Sequence, residues 1–98
     1  PTSLTVRLVK KPAKIKAKGT LTGGAVDGMA ITVTLSHRAG GHWSTIARKT
    51  VLTRNASGGV ASYLAAFPRP AKGTYRFVVR FKGDATHRKA MRSLRFTL

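Results

Sequence analysis

Apolar side chains fall at every second position in run after run of this chain, and glycine, proline or Asp-Gly interrupts them about every ten residues. Successive side chains of an extended strand point to opposite faces, so a period of two marks strands with one face buried and one wet. Leu4, Val6 and Leu8 alternate with Ser3, Thr5 and Arg7 until Lys11-Pro12 breaks the run. Ile15, Ala17 and Leu21 then stand against Lys14, Lys16 and Lys18. After the turn residues Gly23-Gly24 and Asp27-Gly28, Ile31, Val33 and Leu35 alternate with Thr32, Thr34 and Ser36.

Ala39-Gly40-Gly41-His42 reads as a hairpin turn into a fourth run, Trp43 to Thr53. Its alternation slips among Ile46, Ala47, Val51 and Leu52, which predicts a bulge. The fifth run, Val60 to Phe67, follows Ser57-Gly58-Gly59, carries no charge on either side and stops at Pro68 and Pro70. It can bury Val60, Ser62, Leu64 and Ala66, the preferred set, or Ala61, Tyr63, Ala65 and Phe67; the first choice leaves Tyr63 outside beside the lysines. In the sixth run Tyr75, Phe77, Val79 and Phe81 face inward and Arg76, Val78, Arg80 and Lys82 outward. The seventh, about Arg88 to Leu98, turns Leu94, Phe96 and Leu98 inward and Ser93, Arg95 and Thr97 outward. A helical period is missing throughout. Seven short strands between turn signals predict an all-β fold, a two-sheet antiparallel sandwich, with a five-stranded barrel as the alternative.

The 98 residues suit one domain, residues 1–98, and the chain starts at Pro1 with no initiator Met, as expected of a piece of something longer. There is no cysteine for a disulfide or thiolate site, and no apolar run near the roughly 18 residues a membrane helix needs. One property is extreme. Nineteen Lys and Arg against two carboxylates, Asp27 and Asp84, give a formal charge of +17, which repels itself and attracts polyanions.

Gly41-His42-Trp43, the Gly turn at Ser57-Gly58-Gly59, then Gly73-Thr74-Tyr75-Arg76 and Phe81-Lys82-Gly83-Asp84 resemble, in that order and spacing, the bacterial Ig-like repeat domains of secreted and cell-surface proteins. The resemblance covers nearly the whole chain. It implies a seven-stranded Ig-like or fibronectin-III-like β-sandwich that is not catalytic and serves outside the bacterial cell as spacer, stalk or adhesive module, often in tandem. That family often carries an acid in the turn before the fifth strand; this chain has Arg54-Asn55-Ala56-Ser57 there, so no acid-based role carries over. Tyr75 stands where sandwiches place a tyrosine that bonds back to upstream backbone. Phe77, two residues on, stands where an immunoglobulin domain has its second cysteine and fills the space between sheets.

Candidate chemistry is sparse. Asp27, Asn55 and Asp84 are expected at one end of the sandwich with Thr86 and His87 nearby, but two carboxylates among so many cations are too few for a strong calcium site, and no metal or cofactor is expected. Asp84, after Gly83, is assigned to shaping the turn between the sixth and seventh strands. His37, His42 and His87 are isolated near turns, no Glu exists to pair with an Asp for acid-base work, and no Gly-rich loop leads into a helix; the reading is no enzyme. Trp43 either presents a docking platform or, preferably, folds over the end of the core. The basic faces are the candidate site: Arg7, Lys14, Lys16 and Lys18 on one sheet, and Arg76, Arg80, Lys82, Arg92 and Arg95 on the other. Alternate strand positions lie roughly 6.5 to 7 Å apart, a spacing that suits a charged polymer. The second functional reading is therefore a polyanion-binding module for cell-wall polymer, acidic polysaccharide or nucleic acid, monomeric in isolation, its other partners being neighbouring domains of a parent chain.

Overall fold

The structure, a computed structural model, describes residues 2–23, 28–83 and 87–98, with Asn55 and Ala56 as backbone only. Its elements are β1 (Ser3–Leu4), β2 (Arg7–Lys10), β3 (Lys14–Thr22), β4 (Ala30–Ala39), β5 (His42–Leu52), β6 (Arg54–Ser57), β7 (Val60–Pro68), β8 (Thr74–Phe81) and β9 (Ala90–Thr97). They form two antiparallel sheets in a sandwich-like arrangement. In the first, β3 pairs with β1 and β2 along one edge and with β7 on the other, and β6 lies beyond β7; the second runs β5-β4-β8-β9. Because β1 and β2 follow one another along the same edge of β3, they amount to one interrupted strand, and the described residues hold eight strands where seven are predicted. The additional one is β6: Arg54–Ser57 has the composition of a turn, yet it pairs with the start of β7 as the chain crosses between sheets.

Alternation becomes packing directly. Ile15, Ala17 and Leu21 on β3, Ile31, Val33 and Leu35 on β4, and Tyr75, Phe77, Val79 and Phe81 on β8 are all buried in one core. On β7 the inward set is Ala61, Tyr63, Ala65 and Phe67, the reverse of the preferred expectation. The physical reason is area: an aromatic side chain buries about 150–250 Å², more than Val60 and Leu64 offer. Ser62, left outside, reaches the Arg54 carbonyl at 3.3 Å.

Tyr63 also does what an exposed tyrosine would not. It stands opposite Gly19 in the β3–β7 register, and its hydroxyl donates to the Thr5 carbonyl at the interruption between β1 and β2. Thr5 is held there from its other side, its N–H donating to the Thr20 carbonyl and its hydroxyl accepting from the Thr20 N–H, both at 2.9 Å. Burial pushes the Tyr63 hydroxyl pKa well above its ordinary value. The folded state therefore holds this proton more tightly than the unfolded chain, and the associated stability is complete below about pH 10 and lost as pH rises beyond it. Tyr63→Phe should destabilise the domain near neutral pH, with the gap to wild type in urea midpoints narrowing above about pH 10. A gap that stays constant to pH values where free tyrosine is ionised would contradict the buried, donating hydroxyl.

The strands run between two poles along the longest dimension of a body measuring 40 × 27 × 16 Å. At one pole Ser3 pairs with Thr22, and Thr53 ties the start of β4 to the end of β5 through bonds with Gly28 and Met29, each 2.8 Å. At the other pole Leu98 exchanges backbone bonds of 2.9 and 3.2 Å with Gly73.

Candidate polyanion-binding surface

Register decides which cations share a face, since residues directly opposite in an antiparallel pair point the same way. On the first sheet Arg7 is opposite Lys18, and β3 sets Lys14, Lys16 and Lys18 on the outer face beside Pro68, Ala66 and Leu64 of β7. Lys16 is half-buried and the other three are exposed. This face is a comb of lysines over apolar ground, with Arg7, Thr20 and Ser62 at its Lys18 end.

The second sheet carries guanidinium groups. Arg76 and Arg95 are opposite one another on β8 and β9 and face outward with Arg80; Lys82 follows just past the end of β8, exposed. Two further arginines join them that the sequence reading did not single out. Arg48 of β5 is opposite Thr34, whose hydroxyl lies 3.4 Å from the Arg48 Nε, and Arg38 of β4 is opposite Trp43. The predicted bulge explains the second pairing. Between Leu35/Ala47 and Ser36/Thr45 the register skips Ile46, which leaves Ile46 as the extra, exposed residue and reverses the phase of everything before it on β5.

Trp43 is the main casualty of that reversal. By parity with Ala47 it would close the end of the core, as preferred from sequence. The bulge turns it to the outer face. The guanidinium carbons of Arg76, Arg38 and Arg95 lie 4.4, 5.7 and 5.9 Å from its ring centroid. Such cation–π contacts hold arginine planes in place while leaving their N–H edges free. The Nε of Arg76 is buried with no hydrogen-bond partner.

Arg92 does not belong to this face, and its assignment is corrected. It is opposite Val79, a core residue, so its side chain starts inward, and its Nε donates to the Leu4 carbonyl at 3.0 Å across the gap between the sheets. Two other edge-strand cations behave alike. Lys10, opposite Ile15, reaches the Thr97 carbonyl at 3.2 Å. Lys49, opposite Val33, lies 5.4 Å from the Phe67 ring and donates to the Ala66 carbonyl. Inward-pointing charges on edge strands discourage edge-to-edge pairing with other chains, and here they also bind the two sheets together. Arg92→Ala should cost about 1–3 kcal/mol in thermal or urea unfolding, whereas Arg95→Ala on the open face should stay within about 0.5 kcal/mol of wild type. Equal effects would mean that Arg92 holds nothing.

Every Lys and Arg falls within the described residues, whereas Asp27 and Asp84 fall outside them. The turn role of Asp84 and the oxygen cluster of Asp27, Asn55 and Thr86 thus lie beyond the described residues and side chains. Among the described residues no group of three or more His, Cys, Asp or Glu side chains could hold a metal ion, and no helix is long and apolar enough to cross a membrane. The Tyr75 hydroxyl donates to the Ala71 carbonyl, four residues upstream, at 2.6 Å; His37, half-buried, packs its ring 4.9 Å from that of Tyr75. Compared with known proteins, the chain matches no family model and no curated protein sequence.

Proposed function

We propose that this chain is an Ig-like, non-catalytic module of a secreted or surface-attached bacterial protein, serving as a structural or adhesive segment. The observation that carries this reading is polar geometry. β1 lies at the Thr22 end of the body and β9 runs to the Gly73 end, an arrangement that suits load carried from pole to pole. The bond from Tyr75 to backbone four residues upstream and the order β5-β4-β8-β9 against β3-β7 suit an Ig-like sandwich, and the motif order from Gly41 to Asp84 supports the extracellular bacterial setting. Tension applied at the two poles would shear β1 and β2 past β9, strands that run the same way and are bridged by Arg92 and Lys10. Placed in series between two reference domains and stretched in a force spectrometer, the module should yield in one resolved rupture, at lower force in Arg92→Ala. Gradual extension with no rupture would remove the spacer reading.

The second reading, a polyanion-binding module, is favoured by the convergence of three guanidinium groups on Trp43. On immobilised heparin the folded domain should elute at higher salt than a scrambled peptide of equal charge. Coincident elution would show that the arrangement of charges adds nothing.

A further inference from the structure

The outer face of the second sheet is a trench, and its lining is chemically sorted. Its floor is the outward side of β4, where Thr32, Thr34 and Ser36 present short hydroxyl side chains, extended by Thr45 and Thr50 of β5. Its walls carry long cations: Arg48 on β5 faces Arg76 and Arg80 on β8, with Val78 between those two, across that floor. Neighbouring strands lie about 4.8 Å apart, so the walls stand roughly 10 Å from each other. The trench encloses about 530 Å³. At one end the wall residue Arg76 enters the Trp43 cluster, where its buried Nε is unsatisfied and two more guanidinium groups share the ring.

We infer that this trench binds an acidic polysaccharide strand, with sugar hydroxyls on the Thr and Ser floor and carboxylate or sulfate groups on Arg48, Arg76 and Arg80. The inference rests on the polyanion reading above and gives it a place and a ligand class. Each floor hydroxyl is both donor and acceptor, as is each sugar hydroxyl, so the floor satisfies a glycan and has little to offer a bare phosphate chain. Guanidinium groups take carboxylates and sulfates in paired hydrogen bonds, and of the three wall arginines the Trp43 ring fixes Arg76 in advance, with Arg38 and Arg95 beside it. That ring is covered by guanidinium groups, and Trp43 is the chain's single tryptophan, so the row of open stacking platforms on which single-stranded nucleic acid depends is lacking. Like charges gathered around one ring are complemented by an anionic guest. The lysine comb on the opposite sheet attracts anions as well, but its hydroxyl side chains, Thr20 and Ser62, gather at the Lys18 end, and Lys14 and Lys16 stand beside Pro68 and Ala66.

The test compares four probes of matched length on the intact domain at about 0.15 M salt, where long-range attraction between exposed charges is screened. They are oligogalacturonate for carboxylate, sulfated dextran oligosaccharide for sulfate, inorganic polyphosphate for charge without sugar, and neutral dextran. One or both acidic sugars should bind at least tenfold tighter than polyphosphate. Arg48→Ala/Arg76→Ala/Arg80→Ala should lose at least tenfold in that affinity, against no more than threefold for Lys14→Ala/Lys16→Ala/Lys18→Ala, which removes the same charge. Thr34→Val, which keeps charge and shape, should weaken the acidic sugar and leave polyphosphate unchanged, and it serves as the control should the arginine variant fold poorly. Polyphosphate binding as tightly as the tighter of the two acidic sugars, or equal losses from the two triple variants, overturns the trench while leaving a general polyanion module standing. Failure of every anionic probe to bind overturns both.

Discussion

Replacing Phe77 by alanine should cost this domain about 3–5 kcal/mol, a large share of the roughly 5–15 kcal/mol that holds a domain of this class together. Phe77 has no exposed surface. Its ring lies 4.9 Å from that of Phe96 on β9 and 5.8 Å from that of Phe67 on the opposite sheet, so it links both layers. Removing it leaves a cavity flanked by Leu35, Leu94 and the Phe67 and Phe96 rings on paired strands, whose backbones cannot collapse inward without breaking ladders. Phe96→Ala should cost less, since Phe96 sits on an edge strand and keeps some exposure. Phe77→Leu, closer in volume, should stay near 1.5 kcal/mol. Urea unfolding is the measurement, with the midpoint falling and the slope unchanged. A Phe77→Ala midpoint within error of wild type would mean that β8 does not face the core as described.

Such a prediction needs only parity, and parity is legible wherever one face of a strand is polar and the other oily. β3, β4 and β8 satisfy that condition, and their inward residues follow from the alternation without correction. The failures occur where the contrast between faces vanishes or the count slips. β7 has no charge on either side, so alternation offers two facings and cannot choose; the Tyr63 hydroxyl, whose acceptor lies between β1 and β2 nearly sixty residues earlier, settles it. On β5 the slip is visible, but which residue is extra depends on the pairing partner, and assigning Ile46 to the bulge is what moves Trp43 from core to surface. Arg92 is different. It shares the parity of Leu94 and Phe96, both on the inner side, and alternation alone places it inward; charge argued against that placement. On an edge strand a long side chain can start inward and still bring its charged head to the rim, so parity outranks polarity there. The arginine trench was half legible for a related reason. Arg76, Arg80 and Arg95 stand out by alternation, whereas Arg38 and Arg48 join them only through cross-strand register.

Gly19→Ala should be the most damaging single methyl addition in the chain. A Cβ built at Gly19 would lie 2.0 Å from the Thr5 carbonyl oxygen, 2.7 Å from its carbon and 2.6 Å from the Tyr63 hydroxyl oxygen. The first two atoms are backbone, so no rotamer change relieves the contact. The requirement is space alone; Gly19 is a β3 residue with buried surroundings, opposite Tyr63. To admit the methyl group, the chain at Thr5 must lift off β3, which breaks the Tyr63 bond to the Thr5 carbonyl and the two Thr5–Thr20 bonds and exposes Leu4, now almost wholly buried. An overpacked core site costs about 1–3 kcal/mol and each orphaned buried partner about 1–3 kcal/mol more, so a total of at least about 3 kcal/mol is expected. The mechanism makes a sharper claim than the magnitude. If the damage is the loss of β1, then deleting residues 1–5 should destabilise the domain to a similar degree, and Gly19→Ala on the deleted background should add little, since coupled changes in one contact network are not additive. Hydrogen exchange should show the Thr5 and Thr20 amides losing protection in Gly19→Ala while β4 and β8 keep theirs. Full additivity of the two changes, or protection lost evenly across both sheets, would place the strain elsewhere and refute the account of how Gly19, Tyr63 and Thr5 close this edge of the sandwich.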